Sequence, residues 1–140
     1  MPTVLVAGDF GHFHQGHLDH IMKAYALGDF LIIVTHTDQS IIERKGYEPI
    51  PLWARITMLR AILSLLGGKG KVVVAEDKDG KCYKSLEKYH PDIFAKGGDR
   101  ADEASLPLEE VEVCRANGIK IIYGVGQQLN ESRRIAGVQK

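Results

Sequence analysis

Residues 4–17 read VLVAGDFGHFHQGH and carry the clearest signal of the fold. The first four residues are apolar and stop at a glycine, which is typical of a buried parallel strand. Apolar residues then recur at helical spacing over residues 18–25, and Gly28 stands where we expect this helix to end. A second apolar run, Phe30 to Val34, follows. The stretch therefore predicts a β-α-β unit with a polar, glycine-rich connection between strand and helix.

The rest of the chain continues the alternation of strand-like and helix-like segments. We expect helices from Pro51 to Gly67, 82–89, 106–117 and from Asn130, and strands at 71–75, 91–95 and 119–123. Strict alternation predicts an α/β fold, a Rossmann-like parallel five-stranded sheet with helices on both faces. Such sheets bind ligands at the carboxyl ends of their strands, so the polar residues after each strand are the candidates for function.

Composition narrows the classes of function. A length of 140 residues with 44% hydrophobic and 26% charged residues predicts one globular domain, residues 1–140, and excludes a disordered tail. Basic and acidic residues balance at 18 each, so no net charge favours nucleic acid or a membrane as partner. Cys82 and Cys114 form no CxxC pair, and no signal peptide or long apolar run is present. We therefore expect a cytoplasmic protein.

The connection after the first strand has the composition of a phosphate site. Residues 8–17 contain three glycines and three histidines. Glycines let a ligand approach the backbone, a helix N-terminus offers free N–H groups, and imidazoles donate to oxyanions. His14 and His17 are three residues apart, so both can face one ligand from the first helical turn.

Two other interpretations of these histidines stay open. They could simply cap the helix and cover the surface. They could also hold a metal ion, with ligands drawn from His12, His14, His17, His20 and either Asp9 or Asp19. No cysteine lies nearby and the spacing matches no familiar zinc motif, so we predict no metal ligands in this segment.

The pattern Gly8-x-Phe10-x-x-x-His14-x-Gly16-His17 resembles the HxGH signature of the cytidylyltransferase-like nucleotidyltransferase family, and the likeness continues to residue 38. The resemblance implies the nucleotidyltransferase type of the fold. It also implies that His14 and His17 contact the triphosphate and stabilise the transition state at the α-phosphorus. The remaining residues of the segment, Gly8, Asp9, Phe10 and Gly16, would bind the nucleotide.

One position departs from the family pattern. Family members usually carry Asp where this chain has Gly11. Asp9, two residues earlier, is the carboxylate that could compensate. The substitution leaves room for an altered activity.

Two basic residues follow the second strand. Lys45 is predicted to lie in a loop, from which its ammonium could reach phosphate oxygens, and Arg55 lies in the first turns of the helix that begins near Pro51. Spacing alone favours solvated surface charges at both positions. The resemblance instead implies that both residues contact phosphate and take part in catalysis.

Two later segments carry a further likeness. Lys96-Gly97-Gly98-Asp99 resembles the KGGD segment in the adenylyltransferase domain of the bacterial heptose-phosphate kinase/adenylyltransferases of lipopolysaccharide core biosynthesis. This resemblance implies that these four residues bind the nucleotide, with the glycines leaving room beside it. Near the C-terminus, Ser132 and Arg133 occupy the place of the family's Ser-Thr-Thr-x-Ile motif, which binds nucleotide phosphates. A plainly capped terminal helix explains this last segment equally well.

The resemblance implies a transferase that joins a sugar phosphate, similar to heptose 1-phosphate, to the nucleoside monophosphate of ATP or CTP and releases pyrophosphate. It implies Mg²⁺ with the nucleoside triphosphate, a phosphorylated small molecule as second substrate, and a homodimer. One alternative is a cytidylyltransferase that acts on an alcohol phosphate such as glycerol 3-phosphate. Another, favoured by Gly11 and the altered C-terminal motif, is a nucleotide-binding module without turnover.

Overall fold

The computed structural model describes residues 2–97 and 106–126. Within these residues, strands and helices follow one another as β1 (Thr3–Ala7), α1 (Gln15–Tyr25), β2 (Phe30–Thr35), α2 (Asp38–Lys45), α3 (Leu52–Leu66), β3 (Gly70–Val74), α4 (Tyr83–Tyr89), β4 (Ile93–Gly97), α5 (Leu108–Asn117) and β5 (Lys120–Val125). The helix predicted from Asn130 lies outside the described residues. No helix in the described part of the chain is long and apolar enough to cross a membrane.

The five strands form one parallel sheet in the order β3-β2-β1-β4-β5. This arrangement confirms the predicted α/β class. Strand β1 lies in the centre of the sheet. The next two strands, β2 and β3, are added on one side of β1, and β4 and β5 are then added on its other side. The order of strands therefore reverses between β1 and β4, and a crevice opens there at the carboxyl ends of the strands.

Two hydrophobic clusters cover the two faces of the sheet, as predicted. Alternate residues of β1 point to opposite faces, so Val4 joins one cluster and Leu5 the other. The first cluster packs α1 and α3 against the sheet, with Ile21 and Leu59 fully buried. The second packs α4 and α5, where Leu86 is fully buried. This double covering buries both faces of the sheet and leaves the carboxyl ends of its strands for a ligand.

Helix α2 was not predicted from the sequence, and the expected loop position of Lys45 is wrong. Thr37 caps the helix, because its Oγ1 accepts a hydrogen bond from the Ser40 N–H at 3.1 Å. Gly46 ends it in the left-handed conformation with φ of 75°. The helix is short and offers Ile41 as its one fully buried apolar side chain, so the sequence shows no apolar stripe of helical spacing.

Gly28 does not end helix α1, contrary to the prediction. The helix stops at Tyr25, and its C-cap is Ala26 in an ordinary right-handed conformation. A Cβ atom at Gly28 would lie 2.4 Å from the carbonyl oxygen of Pro2. Glycine is required there because the start of β1 passes directly over this residue.

Candidate active site

A cleft lies at the carboxyl ends of β1 and β4, where strand order reverses. Its main cavity, of about 380 Å³, is lined by residues that include Gly8, Asp9, His17, Lys45 and Lys96. A second cavity of about 230 Å³ shares Asp9, His17 and Lys45 and adds His14. We call the two together the cleft. The residues predicted from the HxGH segment, with the exception of Gly16, thus line the cleft together with Lys45 and Lys96.

His14 and His17 form a reciprocal cap at the N-terminus of α1. The Gly16 N–H donates to Nδ1 of His14 at 3.0 Å, and the His14 N–H donates to Nδ1 of His17 at 3.2 Å. The two rings stack with centroids 3.9 Å apart. Because each Nδ1 accepts a hydrogen bond, a neutral ring must carry its proton on Nε2. Both imidazoles are therefore set as Nε2–H donors, and capping and ligand binding are compatible functions of the same rings.

The ring of His17 is held neutral by its surroundings. Burial lowers its pKa, and the neighbouring His14, His20 and Lys45 lower it further against the opposing effect of Asp9, to about 4. His17 therefore enters the cleft as an uncharged hydrogen-bond donor at neutral pH. The positive charge of the site comes from lysine and arginine side chains.

The ring of Phe10 packs against the ring of His17 and fixes its position. Its ring is 2% exposed and meets the His17 ring edge to face at 5.2 Å between centroids. Its backbone has a φ of 52°, which is strained for a residue with a side chain. A Cβ at Gly8 would lie 3.0 Å from the Phe10 ring. The predicted residues Gly8 and Phe10 thus shape the floor of the cleft, which allows a ligand to lie above them.

Asp9 holds two cations at the cleft. Its Oδ1 lies 2.7 Å from Nη2 of Arg44, and its Oδ2 lies 2.7 Å from Nζ of Lys45. Burial alone would raise the pKa of Asp9, but the hydrogen bonds and charges of Arg44 and Lys45 outweigh burial and lower the pKa below its ordinary value. Lys45 is the last residue of α2, and this pair fixes where its ammonium lies. Sequence reasoning missed Arg44 because it missed α2.

Arg55 does not face the cleft, which corrects the expectation that it contacts phosphate. Its side chain is fully buried. Its guanidinium donates to the carbonyl oxygens of Ile50, Asp9 and His36, to the hydroxyl of Thr35, and to the carboxylate of Asp38. Arg55 therefore ties α3 to the ends of β1 and β2, and supports the cleft from beneath.

Glu110, which the sequence did not single out, lies in the cleft beside the predicted Lys96. Nζ of Lys96 lies 3.9 Å from Oε1 of Glu110 and 4.7 Å from the centroid of the Phe94 ring. Oε2 of Glu110 accepts from the Cys82 N–H at 3.0 Å. Burial and the neighbouring Glu110 raise the pKa of the Cys82 thiol well above its usual range. No pattern in the sequence marks Glu110, since it is one of several acidic residues on α5.

The other predicted residues divide between the cleft and the undescribed segments. Gly97 lines the cleft at the end of β4. Gly16 lies at the start of α1, where its N–H is engaged by His14. The remaining predicted residues, Gly98, Asp99, Ser132 and Arg133, lie outside the described residues.

Gly11 lies where the family pattern has a carboxylate, and its surroundings leave little space. A Cβ there would lie 3.0 Å from the Tyr47 hydroxyl and 3.1 Å from Cβ of Pro49. The Gly11 carbonyl oxygen also accepts from the Ile50 N–H at 3.0 Å. Loss of the family carboxylate is therefore accompanied by close packing of the 47–50 segment against this position.

The metal alternative has no geometric support in the described part of the chain. No group of three or more His, Cys, Asp or Glu side chains there is arranged to hold a metal ion. Nε2 of His20 donates to the Ala95 carbonyl oxygen at 3.1 Å, and the Asp9 carboxylate is engaged by two cations. His20 and Asp9, two of the candidate ligands, are thus engaged within the protein.

Comparison with known proteins agrees with this geometry. The family described as cytidylyltransferase-like matches residues 5–124. FAD synthase of Thermococcus sibiricus is 28% identical over 137 residues, which cover 94% of this chain and 88% of that protein. The bifunctional protein HldE of Citrifermentans bemidjiense is 36% identical over 88% of this chain, which spans 24% of HldE.

A solved structure supports the same assignment. The lipopolysaccharide core biosynthesis protein from Thermoplasma volcanium GSS1 superposes with a TM-score of 0.69 and 25% identity, and the match covers 91% of this chain and 99% of that one. Three observations indicate the same family: the strand order, the paired histidines where the strand order reverses, and the match to the family model. The chain belongs to the cytidylyltransferase-like family and is a nucleotidyltransferase.

Proposed function

We propose that the enzyme transfers the nucleoside monophosphate of ATP or CTP to a sugar phosphate similar to heptose 1-phosphate, with release of pyrophosphate. The observation that carries the proposal is the stacked pair His14 and His17, which presents two Nε2–H donors at a helix N-terminus. Lys45 and Arg44 lie in the same cleft and supply positive charge for phosphate. The resemblance of the KGGD segment, together with the HldE match, favours a sugar phosphate as acceptor.

The reaction needs little from the protein beyond position and charge. An oxygen of the acceptor phosphate attacks the α-phosphorus, and the bond from the α-phosphorus to the bridging oxygen of the β-phosphate breaks. Pyrophosphate leaves with that electron pair. The attacking phosphate is already an anion, so no general base is required. His14 and His17 donate hydrogen bonds to the α-phosphate oxygens, where negative charge increases in the transition state.

The lining of the cleft favours a polar acceptor. The side chains that reach it from β4, α2 and α5 are Lys96, Arg44, Lys45 and Glu110. Hydroxyl groups and phosphates of a sugar phosphate can hydrogen-bond to such groups. A planar apolar ring would gain less from them than from an aromatic slot.

A second acceptor, FMN, is favoured by one specific observation. The FAD synthase of Thermococcus sibiricus matches this chain over 88% of its own length, whereas HldE matches over about a quarter. Transfer of adenylate from ATP to the phosphate of FMN would make FAD by the same bond changes at the α-phosphorus. Glycerol 3-phosphate, the alcohol phosphate considered from the sequence, is the third candidate acceptor.

Two further expectations are part of the proposal. We propose that Mg²⁺ enters with the nucleoside triphosphate, because the phosphate oxygens supply the hard oxygen ligands that Mg²⁺ prefers. We also propose a homodimer. Sedimentation velocity that found only a 15.5 kDa species would contradict the dimer, and full turnover in the presence of excess EDTA would contradict the role of Mg²⁺.

Pyrophosphate release tests the proposed function directly. The purified chain is incubated with ATP or CTP and with one of glucose 1-phosphate, mannose 1-phosphate, heptose 1-phosphate, glycerol 3-phosphate or FMN. We expect release to depend on a sugar phosphate. If pyrophosphate is released only with FMN or only with glycerol 3-phosphate, that compound is the acceptor and the proposed sugar phosphate is wrong. A rise in melting temperature with nucleotide and no release with any acceptor would show a binding module instead.

A further inference from the structure

Glu110 is a buried acidic residue that the proposed chemistry does not use. It is the third residue of α5 and is 3% exposed. Its Oε2 accepts from the Cys82 N–H at 3.0 Å, which fixes the carboxylate in place. Its Oε1 is also buried, and no donor hydrogen-bonds to it among the described residues. Buried polar atoms are nearly always satisfied, so this oxygen marks a position where a ligand would supply the donor.

Lys96 lies beside this oxygen without reaching it. Its Nζ is 3.9 Å from Oε1 of Glu110, which is longer than a hydrogen bond. Its side chain is 13% exposed, and its ammonium also lies over the Phe94 ring. An ammonium only donates and a carboxylate only accepts. The two groups therefore form an ion pair that is too long for a hydrogen bond, so each can hydrogen-bond to a ligand group placed between them.

A hydroxyl group is the chemistry that complements both atoms at once. Its oxygen accepts from the ammonium of Lys96 while its proton goes to the carboxylate of Glu110. One oxygen can lie at about 2.8 Å from each atom, because the gap between them is shorter than two such contacts. A phosphate placed between them would be repelled by Glu110, and an ammonium would be repelled by Lys96. A neutral hydroxyl meets neither penalty.

We propose that Lys96 and Glu110 form a hydroxyl-binding pair that makes the enzyme select substrates with a free hydroxyl group at this position. The hydroxyl comes either from the ribose of the nucleotide or from the sugar acceptor, since both carry the same chemistry. The inference rests on the proposed function in so far as these two substrates are the ones that enter the cleft. Glu110 then determines specificity through Oε1 while Oε2 holds the Cys82 N–H.

Glu110→Gln tests the pair with little change of size. The amide oxygen can still accept from the Cys82 N–H, but the cleft then meets an NH₂ donor in place of an acceptor. Calorimetric titration compares ATP with 2′-deoxyATP and 3′-deoxyATP, and glucose 1-phosphate with its singly deoxygenated counterparts. In the unmodified enzyme we expect one deoxy compound to bind about 100-fold more weakly than its parent. In Glu110→Gln this ratio should fall to about 3-fold or less.

Controls separate a selective effect from a structural one. Glu112→Gln changes an exposed acid on the same helix and should leave the ratio at its original value. Lys96→Met removes the other half of the pair and should reduce the same ratio, which keeps the test valid if Glu110→Gln does not fold. The compound whose ratio changes, nucleotide or sugar phosphate, identifies the source of the hydroxyl.

Two outcomes would overturn the inference. One is an unmodified enzyme that binds every deoxy compound as well as its parent, or that binds none of the probes. The other is a variant that weakens parent and deoxy compounds equally. Pyrophosphate release is measured in parallel. Its absence with every acceptor would contradict the proposed function, whereas the binding ratios test the hydroxyl-binding pair independently of turnover.

Discussion

The imidazole rings of His14 and His17 lie stacked, with centroids 3.9 Å apart and planes inclined by 24°. Each Nδ1 is occupied by a backbone N–H, so the two rings are fixed in the same tautomer. The neutral ring of His17 can stack this closely on His14, whereas two imidazolium ions would repel each other. The pair is therefore a preorganised source of Nε2–H donors at the N-terminus of α1.

His14→Ala and His17→Ala should each reduce turnover by about 10² to 10³. The reason is that each removes a donor whose hydrogen bond strengthens as charge develops on the α-phosphate, so nucleotide affinity should change much less. Pyrophosphate release under saturating substrates measures the effect. His90→Asn serves as the control, because it changes an exposed histidine that precedes β4, at the far end of the sheet. Unchanged turnover in both alanine variants would end the catalytic assignment.

The lowered pKa of His17 predicts how stability depends on pH. In the unfolded chain this histidine takes up a proton near pH 6.5, but in the folded protein its pKa is about 4. Between these values the unfolded state binds more protons, so the free energy of unfolding should fall as pH is lowered, by at most about 1.4 kcal/mol per pH unit.

Urea denaturation between about pH 4 and about pH 7 measures this dependence. Burial also lowers the pKa of His36 and adds to it in the same direction, so the comparison is with His17→Asn, which should show a shallower fall. NMR titration of the His17 ring should give a midpoint of about 4. A midpoint near the ordinary value of histidine would contradict the burial of this ring.

Asp9→Asn should lower turnover by about 10-fold or more without weakening the binding of ATP. Asp9 fixes the ammonium of Lys45 and the guanidinium of Arg44 through contacts of 2.7 Å each. Without the negative charge the two cations lose their defined position, while the cleft becomes more positive towards anions. Steady-state kinetics separates the two effects. Asp29→Asn, an exposed carboxylate before β2, should behave like the unmodified enzyme. A variant whose KM for ATP alone rises would instead make Asp9 a binding residue.

Arg55→Met should reduce stability by about 3 to 5 kcal/mol, because it leaves several buried acceptors and the Asp38 carboxylate without a donor. The loss is measured by urea denaturation. Arg60→Met on the exposed side of the same helix should change stability by about 0.5 kcal/mol or less. A variant that is as stable as the unmodified protein and has lost only phosphate binding would restore the role that the family resemblance implies for Arg55.

Gly11→Asp should lower stability by about 1 to 3 kcal/mol, because the new Cβ would crowd the Tyr47 hydroxyl and Pro49. Thermal unfolding measures the change. The double variant Gly11→Asp/Tyr47→Phe removes the closest contact and should recover part of the loss. No recovery would show that Pro49, rather than the hydroxyl, limits the space at this position.

The layered α/β fold and the nature of the segment after the first strand could be predicted from the sequence. Both are local properties: apolar runs and helical spacing identify strands and helices, and HxGH brings two imidazoles to the first turn of a helix. Among the described elements, only helix α2 was not predicted, because its few apolar residues show no helical periodicity.

Which side chains meet could be read only from the folded chain. Asp9 with Lys45, Arg55 with Asp38, and Lys96 with Glu110 lie on different segments of the chain and meet only where the helices pack beside the carboxyl ends of the strands. Burial then decides what each charge does, since a guanidinium surrounded by protein acceptors holds the fold together and an ammonium at a cleft is available to bind a ligand. The periodicity of apolar residues in the sequence predicts the face on which a residue lies. It does not predict which side chain of another segment that residue will contact.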